Sequence, residues 1–343
     1  MSWYKQDGLT GIAFSSRIRL ARNLRDIPFP ERLSEDQAGE VAATVSRALH
    51  EIEAGKKWHD LDLQSIDPLH RQALVERHLV SREMTADRPH ATLLVRDDER
   101  LGVLVNEEDH MRIQALRPGS DLSEAYAEAA DLADRLEAKL PIAVSPRYGY
   151  LTSCPTNVGT GMRASVMLHL PALGRADLLP KLVQTLSRSG FTLRGYNGEG
   201  SRSEGDLYQI SNQVTLGRAE NDIIRDLNDI TEQVIASENK SREAFQEADP
   251  VALGDRVGRA YGILANAQAI SYEEAMQLMS ALREGIELGV RTGPDMETIN
   301  GILLQIGPAS VQWINGREMD ARSRDVARAD VIKKVLKEKH IHD

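Results

Sequence analysis

The feature that most restricts how this chain can fold is a change of periodicity along it. Short apolar runs of strand character occupy residues 91–96, 101–106, 164–170, 191–196 and 207–216, and the first two flank Asp97, Asp98, Glu99 and Arg100 as the arms of a hairpin would. These runs separate segments in which apolar residues recur at helical spacing, over 35–53, 122–139, 175–189 and a long stretch from 220 to about 247. After Ala248-Asp249-Pro250 the chain turns to leucine, alanine and charged residues at helical spacing, with few β-branched runs. Ser271 and Glu274 have the spacing of a capping box, which predicts a helix over 272–288, and 323–339 reads as a final helix. Strands joined by short polar loops and covered by helices predict an α+β domain over 1–245, with a mainly antiparallel sheet flanked by helices. An all-α C-terminal domain over 246–343 follows it.

Two domains agree with a length of 343 residues, because one domain takes roughly 100 to 200. The net charge of −10 argues against attraction to nucleic acid or an anionic membrane, which needs a basic face. No apolar run approaches the roughly 20 residues that span a bilayer. One cysteine cannot form an internal disulfide, and residues 1–11 lack the apolar stretch of a secretory signal, so a cytoplasmic location is expected.

That cysteine, Cys154, stands beside Pro155 and among Ser153, Thr156, Asn157, Gly159, Thr160 and Gly161. A buried thiol acting as a small hydrophobe is one reading; the polar groups and bare amides around it suit an anion site. Arg163 follows at once and leads into the strand-like run. Arginine also marks Ser15-Ser16-Arg17-Ile18-Arg19, Glu108-Asp109-His110-Met111-Arg112 and Leu193-Arg194-Gly195. In an extended segment Arg17 and Arg19 share one face and Ile18 turns to the core. Two guanidinium groups on a strand face can grip successive phosphates bidentately, where lysine offers only a point charge. Carboxylates gather in Asn106-Glu107-Glu108-Asp109-His110, at the end of a strand, and in Asn197-Gly198-Glu199-Gly200, whose glycines allow close backbone approach.

Together these segments resemble the phosphagen kinase family, which moves phosphate between ATP and a guanidinium group. Residues 15–23 resemble its first nucleotide arginine motif, 106–112 its acidic substrate loop, 154–166 its cysteine loop with a further arginine, and 194–200 its last phosphate-binding loop, in the family's order. Arg17 arrives too early for the helical N-terminal domain of the creatine and arginine kinases. The additional sequence instead follows the catalytic segment, as in the bacterial protein arginine kinase branch of the McsB type. Arg324-Asp325-Val326-Ala327-Arg328-Ala329 matches that branch's RDxxRA motif, which implies a phosphoarginine pocket that regulates activity. Arg324 and Arg328, at i and i+4, can bind one phosphate from a shared helix face, and Asp325 can accept from a guanidinium.

The resemblance implies ATP and Mg²⁺, with no dedicated metal ligands in the chain. It places Ser15, Ser16, Arg17, Ile18, Arg19, His78, Arg112, Arg163, Ala164, Ser165, Val166 and Met167 at the nucleotide, with Arg194, Gly195, Tyr196, Asn197, Gly198 and Glu199. Glu108 and Glu199 would orient the acceptor guanidinium, with Glu108 as general base; Glu107 or Asp109 fills that role if the loop is turned by one residue. Cys154 would lie near the acceptor, where cations can favour its thiolate. The implied partners are proteins with exposed arginine, an activator protein, a heat-shock repressor, a Clp ATPase of protein quality control in the stress response, and a second copy of the chain. The alternatives are a phosphoarginine-binding adaptor with secondary or no kinase activity, and a kinase of a free guanidino compound.

Overall fold

The computed structural model describes residues 3–4, 11–86, 88–196, 203–290 and 294–340. It divides into two compact units, one of Met1–Trp3, Ser15–Val166 and Ser211–Asn228, the other of Tyr4–Phe14, Met167–Ile210 and Asp229–Asp343. The first unit draws on β1 (Ala13–Arg22), α1 (Glu35–Ile52), β2 (Trp58–Asp62), α2 (Pro68–Glu76), β3 (Thr92–Arg96), β4 (Leu101–Val105), β5 (Met111–Pro118), α3 (Leu122–Glu137), β6 (Val144–Ser145), β7 (Gly149–Tyr150) and β8 (Met162–His169). Within it the strands run in the order β2-β3-β4-β5-β1-β8, and every pair from β2 to β1 is antiparallel.

Local chemistry explains most of these elements. Ser34 caps α1 with its hydroxyl on Gln37 N, and the Gln37 side chain accepts from Ser34 N, which satisfies two donors the helix leaves open. The helix then buries Ala38, Val41, Val45, Ala48 and Leu49, the three-and-four spacing of one face. In α3 the same spacing buries Ala125, Ala129, Leu132, Ala133 and Leu136, and this helix packs on β5. The hairpin of β3 and β4 forms as expected. Strand β2, Trp-His-Asp-Leu-Asp, is not legible in the pattern, because only Trp58 is buried in it and its place comes from pairing with β3 at the sheet edge.

The second unit adds α4 (Pro171–Arg175), α5 (Leu179–Arg188), β9 (Phe191–Gly195), β10 (Leu207–Asn212), α6 (Glu220–Ala248), α7 (Pro250–Asn266), α8 (Tyr272–Glu287), α9 (Met296–Leu303), α10 (Pro308–Ile314) and α11 (Ala321–His340). Its strand order is β8-β10-β9. The helix expected over 175–189 forms as α5, starting later at Leu179, because Arg175 ends the separate helix α4 and Asp177 between them has a left-handed φ of 53°. The buried Glu238 carboxylate accepts from Ala172 N at 3.0 Å and Leu173 N at 2.9 Å, so α4 receives its own N-terminal cap from α6. Helix α8 begins at the Ser271 cap as its capping spacing predicts. The chain is α+β, a mainly antiparallel sheet flanked by helices and followed by helices α6 to α11.

Candidate active site

Strand β1 buries Ile18 completely and leaves Arg17 and Arg19 half-buried, as alternation requires. Antiparallel pairing sets Arg19 opposite Gln114 and Ala21 opposite Arg112, so Arg112 joins the face that carries Arg17 and Arg19. Arg163, near the start of β8, interacts with the same two arginines, and its guanidinium donates to Ser211 Oγ at 3.0 Å. Burial first, and then the charges of Arg112 and Arg163, lower Arg17 to about 10 despite the opposing Glu107 charge. Arg19 is held well below the ordinary arginine value by burial and then by Arg17, Arg112 and Arg163. Arg19 Nε and Arg112 Nε are buried and have no acceptor among the described residues. Four guanidinium groups, two of which (Arg19 and Arg112) keep a buried Nε without an acceptor among the described residues, make a face that fits a polyphosphate.

Glu107 stands among them. It is 2% exposed, its carboxylate lies 2.5 Å from Arg112 Nη1, and it also accepts from Ser81 Oγ. Gln114 donates to His78 O at 3.0 Å, which brings that residue to the arginine face. His78 has a left-handed φ of 63° and meets Trp3 edge-on at 6.4 Å. Burial, and then the Arg17 charge, push its imidazole down to about 3, so it is neutral at physiological pH.

The acidic loop is closed by Asn106 N donating to His110 O at 3.2 Å. Asn106 sits at φ 57°, a conformation asparagine tolerates better than most residues. Of its three successive carboxylates, Glu107 and Asp109 are buried and Glu108 faces solvent. The Cys154 thiol lies close enough to Glu108 to favour its charged form. Burial, followed by the charges of Asp109 and Glu107, raises the Glu108 carboxyl above the ordinary glutamate value, against the thiol and the Arg112 charge. Cys154 is half-buried, its Sγ 3.0 Å from Thr156 Oγ1. Thr215 Oγ1 bonds Thr156 O at 2.8 Å and Val158 O at 2.7 Å, fastening the cysteine loop. At Gly159, φ 114°, any Cβ would come within 2.5 Å of Thr215 O, so only glycine permits this approach.

Other residues singled out in the sequence lie as follows. Ser15 and Ser16 are buried; Ser16 Oγ donates to Gly119 O at 2.8 Å and accepts from Asp121 N at 2.9 Å. Ala164, Ser165, Val166 and Met167 continue β8 with buried side chains, and Ala164 N donates to Asn212 Oδ1 at 2.8 Å. In the second unit, Arg194 and Gly195 end β9 and Tyr196 follows, all half-buried. Asn197, Gly198 and Glu199 lie outside the described residues.

Also in the second unit, Arg328 is 1% exposed. Its guanidinium donates to Ile306 O at 2.7 Å, Ile270 O at 2.8 Å and Asp325 Oδ1 at 2.7 Å. Arg324 is half-buried and donates to Met319 O at 3.3 Å. The structure thus pairs Asp325 with Arg328 and turns the two arginines to different partners. Ser81 carries no motif of its own and becomes legible only through the Glu107 carboxylate it holds.

Residues 40–241 match the family model described as ATP:guanido phosphotransferase, C-terminal catalytic domain, and residues 250–343 match that of the protein-arginine kinase McsB C-terminal domain. A protein-arginine kinase of Moorella thermoacetica is 43% identical over 330 residues, 95% of this chain and 94% of its own length. One of Geobacillus stearothermophilus is 40% identical over 339 residues, 98% of this chain and 93% of its own. Among solved structures, a lombricine kinase superposes with a TM-score of 0.59 at 24% identity, covering 69% of this chain and 70% of its own. The duplicated taurocyamine kinase of Schistosoma mansoni with bound transition state analog components gives 0.61 at 24%, covering 75% of this chain and 39% of its own. These two likenesses concern the fold.

Proposed function

The chain belongs to the ATP:guanido phosphotransferase family, and from that premise we propose that it is an ATP-dependent protein arginine kinase, phosphorylating the guanidinium of arginine residues in proteins. The observation that carries this reading is the arginine face around buried Glu107, next in the chain to a solvent-facing carboxylate, Glu108, beside the Cys154 thiol. The naming of the full-length relatives as protein-arginine kinases supports the substrate class.

Phosphoryl transfer passes through a loose transition state of spread negative charge, so positioning and electrostatics do the work. In the proposal Arg17, Arg19, Arg112 and Arg163 hold the nucleotide phosphates, Arg194 assists them, and neutral His78 packs without adding charge. The nucleotide supplies the γ-phosphoryl group. Mg²⁺ carried on the nucleotide phosphates would offset part of their charge. The acceptor guanidinium is ordinarily always protonated and is then a poor nucleophile. Glu108 pairs with it and takes its proton as the nitrogen–phosphorus bond forms and the bond to the leaving phosphate oxygen breaks. Glu199 is assigned, with Glu108, to orienting the guanidinium, and Cys154 to helping hold it, with no covalent intermediate.

The proposal extends to a catalytic segment over 1–245 and a helical C-terminal segment over 246–343 that binds phosphoarginine through Arg324, Asp325 and Arg328 and builds a homodimer. It includes a cytoplasmic stress-response role, with an activator protein, a heat-shock repressor and a Clp ATPase as partners, which rests on the resemblance to the McsB branch. Incubation with ATP and an unfolded protein, followed by mass spectrometry that preserves acid-labile phosphoramidates, tests the chemistry. Phosphate on no arginine would sink it, and label on free arginine but not on protein would redirect it to a small acceptor.

A further inference from the structure

Asp109 turns inward where its neighbour Glu108 turns out. Its Oδ1 accepts from Asn23 Nδ2 at 2.6 Å and from Ser153 N at 2.7 Å. Asn23 in turn accepts from His110 N at 2.8 Å through Oδ1 and donates to Leu151 O at 2.9 Å through Nδ2. One carboxylate oxygen therefore joins the end of β1, the acidic loop and the segment that leads into the cysteine loop. Each bond is one residue away from the Glu108–Cys154 contact, since Glu108 precedes Asp109 and Cys154 follows Ser153.

We propose that Asp109 is a positioning residue for the transfer, registering Glu108 against Cys154 through the two bonds that its Oδ1 accepts, and that it neither takes the substrate proton nor binds a cation. The proposal rests on the reading of the site given above. Its surroundings agree with a role as an acceptor and not as a charge. Burial, and then the Glu107 charge, hold its carboxyl above the ordinary aspartate value, against the bonds from Asn23 and Ser153 and the Arg112 charge. An amide oxygen can accept both bonds equally well, whereas a methyl group can accept neither.

The test compares Asp109→Asn and Asp109→Ala in the full chain. It uses phosphorylation of an unfolded protein and, separately, the alkylation rate of Cys154, which is the sole thiol and so gives an unambiguous signal. Asp109→Asn is expected to keep kcat within about fivefold and the alkylation rate of the parent. Asp109→Ala is expected to lose kcat by roughly a hundredfold, the cost of a misplaced reacting group, with the KM for ATP within about twofold and the alkylation rate changed. Glu108 faces Asp109, Glu107, Arg112 and Cys154, so removing the Asp109 charge eases its ionisation and moves the acid limb of activity in Asp109→Asn to lower pH.

An Asp109→Asn protein that folds but is as inactive as Asp109→Ala would overturn the proposal, because the charge would then be what matters. So would an Asp109→Ala protein with parental kcat and alkylation. If Asp109→Ala fails to fold, Asp109→Asn decides alone. If the parent labels no arginine, the kinase reading fails, and the alkylation comparison still decides whether Asp109 sets the cysteine loop.

Discussion

The Glu107 carboxylate lies 2.5 Å from Arg112 Nη1, a buried ion pair that ties the acidic loop to strand β5. It also sets the balance of the arginine face: the Glu107 charge opposes the depression of Arg17 and Arg19 that burial and neighbouring guanidinium groups produce. Before any anion arrives, this carboxylate does part of what a phosphate would do.

Glu107→Gln leaves Arg112 with a neutral partner in a buried site. Stripping one member from a buried pair costs about 3–5 kcal/mol, so the urea midpoint should fall clearly. Added ATP should raise the midpoint of the variant more than that of the parent, because phosphates restore negative charge to the face. Equal shifts in the two proteins would show that the face does not receive the nucleotide.

Arg163→Lys keeps the charge but loses the planar fork that reaches Ser211. The loss of kcat should be on the order of a hundredfold or more, as for arginines that stabilise transferring phosphate. Steady-state kinetics with protein substrate measure it; an effect no larger than about threefold would remove Arg163 from the proposed machinery.

Glu108 carries a raised carboxyl, so the acid limb of kcat/KM should lie above the ordinary glutamate value, with activity falling as the carboxylate protonates. Glu108→Gln should abolish that limb and lower kcat by about 10²–10⁴, the usual worth of a positioned base. A raised folded-state value means that protonation favours folding. The stability this group contributes is complete below its unfolded value and is lost as pH rises through the folded value. Glu108→Gln should therefore melt higher than the parent at neutral pH, with the difference closing in acid. A calorimetric pH series checks the sign.

Arg328→Ala removes a guanidinium that satisfies Ile270 O, Ile306 O and Asp325. Orphaning buried acceptors costs roughly 1–3 kcal/mol each, so this variant should be markedly destabilised. Arg324→Ala breaks the contact to Met319 O and the attraction to Asp320, and should unfold within about 1 kcal/mol of the parent. Denaturation curves distinguish them, and Arg324→Ala is then the better probe of phosphoarginine binding. Comparable losses in both would mean that the motif is held differently.

Elements set by nearest neighbours were legible from the chain. The Arg17-Ile18-Arg19 alternation, the hairpin of β3 and β4 and the Ser271 cap of α8 each follow from residues a few positions apart. The break between α4 and α5 was not, since the α4 cap is supplied by Glu238, more than sixty residues away in sequence. Nor was β2, which exists through its pairing with β3. The Arg324–Arg328 spacing is equally local, yet it does not say that Arg328 turns inward to Ile306 and Ile270.

The cysteine loop and the acidic loop mark where the two kinds of information part. The order of the four arginine and acidic motifs, and the family they belong to, follow from the sequence alone, because residue identity and spacing carry them. Which of Glu107, Glu108 and Asp109 meets solvent was decided only by the tertiary structure. Alternation offers no answer inside a turn, and the choice is made by bonds to Arg112, Ser81, Asn23 and Ser153 that lie on other segments.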